Sequence, residues 1–65
     1  DHGNDPTYKG TDHTRELAPL FVYHTGIERG RRLPTRRTFA DVGATIADLF
    51  QVRRPEHGDS FLSEI

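Results

Sequence analysis

One stretch of this chain carries a helical period, and it constrains the fold more than any other feature. In T-F-A-D-V-G-A-T-I-A-D-L-F, residues 38–50, the apolar side chains Phe39, Val42, Ile46, Leu49 and Phe50 recur at i, i+3, i+7, i+10 and i+11. That spacing lines one face of an α-helix. Thr38 followed by Asp41 has the form of a capping box, with the hydroxyl available to the third amide of the helix and the carboxylate near the positive end of the dipole. The pattern predicts a helix from Phe39 to Phe50 whose Phe39–Phe50 stripe is core. Gly43 and Ala47, on or beside the stripe, would let another element approach closely.

The rest of the chain offers few regular elements. Residues 17–24, L-A-P-L-F-V-Y-H, form a short apolar and aromatic run that reads as a buried strand. Pro19 cannot donate to a ladder, so the paired part is expected from Leu20 to Tyr23. A run without alternation implies that both faces are covered, as in a sheet flanked by helices. Residues 1–16 are dense in turn formers and read as an irregular loop. Residues 25–37 hold two Gly, one Pro and the arginines 29, 31, 32, 36 and 37, and read as a solvated connection. Beyond the helix, Pro55 and Gly58 interrupt a polar tail that Phe61, Leu62 and Ile65 could anchor.

Size limits what these elements can do alone. At 65 residues a lone core buries only about 60% of the surface of the unfolded chain. Small domains compensate with disulfides, a structural metal or a partner, and the chain has no cysteine. Only 32% of its residues are hydrophobic and 29% are charged, so it reads as part of a core. Its opening without Met, directly on two candidate ligands, suggests a slice of a longer protein. A net charge of −1 and a pI near 6.4 give no global case for nucleic acid or an anionic membrane as partner. No apolar run approaches the ~18 residues of a membrane span, and no signal-peptide pattern is present. The expectation is a soluble cytoplasmic protein.

The chemistry concentrates in the opening loop, D-H-G-N-D-P-T-Y-K-G-T-D-H-T-R-E, where Asp1 and His2 are neighbours and His13 follows. A turn at Gly3 could direct Asp1 and His2 into one cavity, and His13 joins them only if the loop doubles back. Carboxylate oxygen and imidazole nitrogen suit Mg, Mn, Zn or Fe, and two divalent ions about 3.5–4 Å apart serve phosphoryl transfer. Spacing alone leaves two readings open, a metal site or a solvated polar loop.

The longer phrases add to this. D-H-G-N-D-P-T, G-T-D-H-T-R-E, P-L-F-V-Y, T-F-A-D-V-G-A-T-I-A-D and P-E-H-G-D-S-F-L, in this order, closely resemble the C-terminal end of the phosphopentomutases, manganese-dependent members of the alkaline phosphatase superfamily. The resemblance implies the C-terminal part of an α/β alkaline phosphatase-like core domain, incomplete on its own, spanning residues 1–65. It implies that Asp1 and His2 bind one Mn(II) and His13 a second, with the remaining ligands and the phosphoryl-carrying threonine upstream. The implied reaction interconverts ribose or deoxyribose 1-phosphate and 5-phosphate through a phosphothreonine, primed by a sugar bisphosphate such as glucose 1,6-bisphosphate. The implied partners are the pentose phosphate and the remainder of the parent chain, and the isolated segment should be inactive. Asp5, Thr11, Asp12 and Thr14 are candidates to orient the imidazoles.

His24, after Tyr23, departs from the family phrase and reads as a surface residue at a strand end. His57 reads as structural, and the loop arginines as solvated. Two alternatives remain: another enzyme of the superfamily, such as a cofactor-independent phosphoglycerate mutase, or a small non-enzymatic metal-binding module.

Overall fold

A computed structural model describes residues 2–65, so Asp1 lies outside the described residues. The expected helix is present as α1, Ala40–Leu49, followed after a loop by a 3-10 turn at Leu62–Glu64. Phe39 already sits at φ −60°, ψ −23°, and Thr38 Oγ1 accepts the Ala40 amide at 3.2 Å. The expected capping box is not formed: the third amide, that of Asp41, donates to the Thr38 carbonyl at 3.2 Å, and the Asp41 carboxylate is bonded elsewhere.

The C-terminus of α1 closes with a Schellman pattern. The Gln51 amide donates to the Asp48 carbonyl at 3.2 Å and the Val52 amide to the Ala47 carbonyl at 3.0 Å. Gln51 takes φ 55°, the left-handed conformation that this cap requires and that glycine more often supplies. Helical propagation thus stops where the apolar period stops, within a residue of the expected bounds at each end.

Which face of α1 is buried differs from the sequence expectation. The stripe is exposed, with Phe39 at 72%, Ile46 at 51% and Phe50 at 68% of full accessibility, and Val42 and Leu49 also open. The covered face consists of Asp41, Ala44, Thr45 and Ala47, and Phe61 from the tail completes the core at 3% exposed. The reason is hydrogen bonding. Asp41, Thr45 and Asp48 recur at i, i+4 and i+7, so their side chains share a face, and the returning tail binds to that face. A helix covered by one short tail can bury one narrow face only.

The expected strand at Leu20–Tyr23 is not formed, and no strand occurs among the described residues. None of residues 9–23 enters a backbone–backbone hydrogen bond among the described residues. A strand exists only through a pairing partner, and the described residues present none. The α/β sheet flanked by helices is thus not built within these residues.

The dimensions follow. The radius of gyration is 14.7 Å, against roughly 10.7 Å for a compact domain of this length. The accessible surface of 6409 Å² leaves only about 40% of the unfolded chain's surface covered, below the ~60% usual at this size. No helix among the described residues is long and apolar enough to cross a membrane.

Candidate metal centre and the polar clasp on the helix

The opening loop does double back. Gly3 lies so close to the Leu17 carbonyl and the Glu16 side chain that a β-carbon could not fit there. Two features build the turn. Asp5 Oδ1 accepts from the Thr7 amide at 2.9 Å and from the Thr7 hydroxyl at 2.6 Å, while the Tyr8 amide donates to the Asp5 carbonyl at 3.2 Å. Gly10 then takes φ 132°, a conformation that glycine adopts without steric cost. The Thr7 hydroxyl, and then its amide, hold the Asp5 carboxyl below its ordinary value.

This fold-back brings two of the three sequence-predicted ligands together. The His2 and His13 rings meet edge to face, with centroids 4.6 Å apart and planes at 73°. His2 Nδ1 lies 2.8 Å from the Gly3 carbonyl, a bond in which the ring nitrogen donates. With the proton on Nδ1, Nε2 becomes the lone-pair nitrogen of that ring, the arrangement usual for a metal-bound imidazole. Both residues are exposed. The third predicted ligand, Asp1, lies outside the described residues. Among the described residues no three His, Cys, Asp or Glu side chains converge on a metal position. The donor types fit a divalent ion, and the set is partial.

Of the residues expected to orient the imidazoles, Asp5 is bonded to the amide and hydroxyl of Thr7, and the Thr14 hydroxyl donates to Glu16 Oε1 at 2.9 Å. His24 serves a turn: its Nδ1 accepts the Gly26 amide at 3.2 Å and its carbonyl accepts the Ile27 amide at 3.1 Å. His57 is exposed.

The sequence reading missed a second polar centre, where the loop, α1 and the tail meet. Arg36, read as one of several solvated arginines, donates through Nε to Asp41 Oδ2 at 2.7 Å and through Nη1 to Glu64 Oε2 at 3.3 Å. Its guanidinium also lies over the Phe61 ring, 5.2 Å from the centroid. The other oxygen of Asp41 accepts the Asp59 amide at 2.9 Å. Thr45 Oγ1 donates to the Asp41 carbonyl at 2.7 Å and accepts the Phe61 amide at 3.0 Å. Ser60 Oγ donates to Asp48 Oδ2 at 2.7 Å and accepts the Leu62 amide at 3.1 Å.

Asp41 is 4% exposed, and its carboxyl is held below the ordinary value by the Asp59 amide first and by Arg36 second. Arg36 is correspondingly raised and stays charged. No buried side-chain polar atom among the described residues lacks a partner. The signal that could have revealed this clasp is the second helical period, Asp41–Thr45–Asp48, inside the segment read for its apolar stripe.

Comparison with known proteins bears on the loop and the helix together. The sequence profile of the metalloenzyme superfamily matches residues 1–54. Over all 65 residues the chain is 55% identical to a phosphopentomutase of Clostridioides difficile (strain 630), of whose length it spans 17%. No solved structure matches the chain.

Proposed function

Because the chain belongs to the metalloenzyme superfamily, we propose that it supplies part of the metal site of a phosphopentomutase, an enzyme interconverting (deoxy)ribose 1-phosphate and 5-phosphate. The observation that carries this reading is the 55% identity over the full 65 residues. The edge contact of His2 and His13 supports it, since imidazoles on two neighbouring ions must lie close together.

In this reading Asp1 and His2 hold one Mn(II) and His13 holds the second, and half of the ligands come from residues beyond these. The ions would neutralise phosphoryl charge, which is most of what phosphoryl transfer asks of a protein. The contribution of this chain is positional. The Asp5–Thr7 turn and the Gly3 fold-back hold the two imidazoles side by side, and the Gly3 carbonyl fixes the His2 tautomer. The threonine that carries the phosphoryl group, and the bisphosphate that primes it, belong to the same proposal and lie outside these residues. The 65-residue chain alone is therefore expected to be inactive.

The test uses the full-length protein that carries this segment. His13→Ala should lower ribose 1-phosphate turnover in Mn(II) by more than about 100-fold and reduce bound manganese measured by elemental analysis. Undiminished turnover with full manganese content would remove His13 from the ligand set. Turnover of 3-phosphoglycerate in place of the pentose phosphate would reassign the enzyme within the superfamily.

A further inference from the structure

Residues 28–37, E-R-G-R-R-L-P-T-R-R, hold five arginines against one glutamate in a chain whose net charge is −1. Arg29, Arg31, Arg32 and Arg37 are exposed and enter no hydrogen bond or ion pair among the described residues, whereas Arg36 is tied to Asp41 and Glu64. Residues 28–37 make no backbone–backbone hydrogen bond among the described residues, so the segment can be drawn into an extended shape without breaking secondary structure. Pro34 already biases Leu33 toward that shape. Within the segment Thr35 is exposed, and its hydroxyl enters no hydrogen bond among the described residues.

Thr35 is also set apart by what precedes it. Of the threonines and serines in the chain, it alone has arginine at both the third and the fourth position before it, Arg32 and Arg31. Basic side chains ahead of an exposed hydroxyl are the charge pattern that the acidic substrate groove of a protein kinase selects. The neighbouring Thr38 lacks that pattern, and its oxygen already accepts the Ala40 amide at 3.2 Å.

We propose that Thr35 is a phosphorylation site for a serine/threonine protein kinase that selects basic segments, and that its phosphate loosens the Arg36 clasp. In the transfer Thr35 Oγ1 bonds to the γ-phosphorus of ATP, the bond from that phosphorus to the β,γ-bridging oxygen breaks, ADP leaves, and the hydroxyl proton passes to the base of the kinase. The phosphothreonine carries about −1.5 to −2 charges at pH 7 and forms its strongest bonds with guanidinium groups. Thr35, Arg36 and Arg37 border one cavity of about 350 Å³ together with Asp41 and Asp59. A phosphate there competes for Arg36 and repels both carboxylates. The longer arm of the clasp yields first: Arg36 Nη1 to Glu64 Oε2 spans 3.3 Å, with the Glu64 side chain 39% exposed, against 2.7 Å from Nε to Asp41 Oδ2. The proposal stands apart from the enzymatic reading, because it uses none of the expected metal ligands.

The test treats the full-length protein that carries this segment with Mg-ATP and a purified serine/threonine kinase that requires arginine at the third position before its acceptor, and locates the phosphate by mass spectrometry. Thr35 should be labelled, Thr35→Ser should keep the label, and Thr35→Ala should lose it. Arg31→Gln with Arg32→Gln should slow labelling at least ~10-fold. Hydrogen exchange at the Asp59 amide should become about 10-fold faster on labelling and stay unchanged in Thr35→Ala treated in the same way. All three positions are exposed, so none of these variants removes a core contact. An unlabelled Thr35 in a protein that unfolds cooperatively, or a label on other residues only, would overturn the proposal. A labelled Thr35 with unaltered Asp59 exchange would overturn it as well, since the clasp would then ignore the phosphate.

Discussion

Asp41 was expected to complete a capping box, and its position three residues after Thr38 supported that. Its carboxylate instead ties three segments, taking the Asp59 amide on one oxygen and Arg36 on the other. The carboxyl is held below its ordinary value, so its contribution to stability is present above the ordinary carboxylate range and is lost as pH falls through the depressed value. Acidification should therefore loosen the tail. The Asp59 amide resonance, followed by NMR, should shift with the titration of Asp41, and that component should vanish in Asp41→Asn. Gln51 supports a second prediction at this scale, because its φ of 55° strains any residue with a β-carbon. Gln51→Gly should strengthen the end of α1 by about 0.5–1 kcal/mol, read as higher helicity by circular dichroism.

At the scale of elements, α1 and the tail form a unit held by polar bonds on one side of the helix. Thr45→Val removes the acceptor of the buried Phe61 amide and should cost about 1–3 kcal/mol. Gly58 allows the tail to cross the start of the helix: it has φ 97°, and a β-carbon there would collide with the Ala40 carbonyl. Gly58→Ala should release the tail, with faster hydrogen exchange at the Phe61 and Leu62 amides. The apolar period predicted the existence and the ends of α1 closely, because helix propagation depends on residues three and four apart. It did not reveal the buried face, because the polar period Asp41–Thr45–Asp48 competes with it and acquires meaning only when residues 59–62 return to meet it.

At the scale of the whole molecule, the chain is broad and thin, 43 × 31 × 17 Å, with a core of Ala44, Ala47 and Phe61 and most of its large apolar side chains outside. Replacing exposed stripe residues should then have opposite consequences in two settings. Ile46→Gln with Phe50→Gln should leave the helicity of the free chain within about 0.5 kcal/mol of the parent. In a full-length protein that carries this segment the same pair should lower the melting temperature if the stripe is core there, as its apolar period predicts. The opening loop also belongs to this scale. Its residue types pointed to metal ligands, yet the approach of His2 and His13 depends on Gly3 seating against Glu16 and Leu17.

The sequence by itself determined what depends on near neighbours: the helix and its two ends, the Asp5–Thr7 turn, and the metalloenzyme phrases that place the chain in its superfamily. Tertiary structure alone decided which face of α1 is covered, that Arg36 is a tie between segments, and that His2 and His13 stand together. These depend on residues distant in the chain meeting in space, which composition and period do not encode. Leu20–Tyr23 shows the same rule from the other side. Its composition is that of a strand, and a strand is completed only by a partner that these residues do not contain.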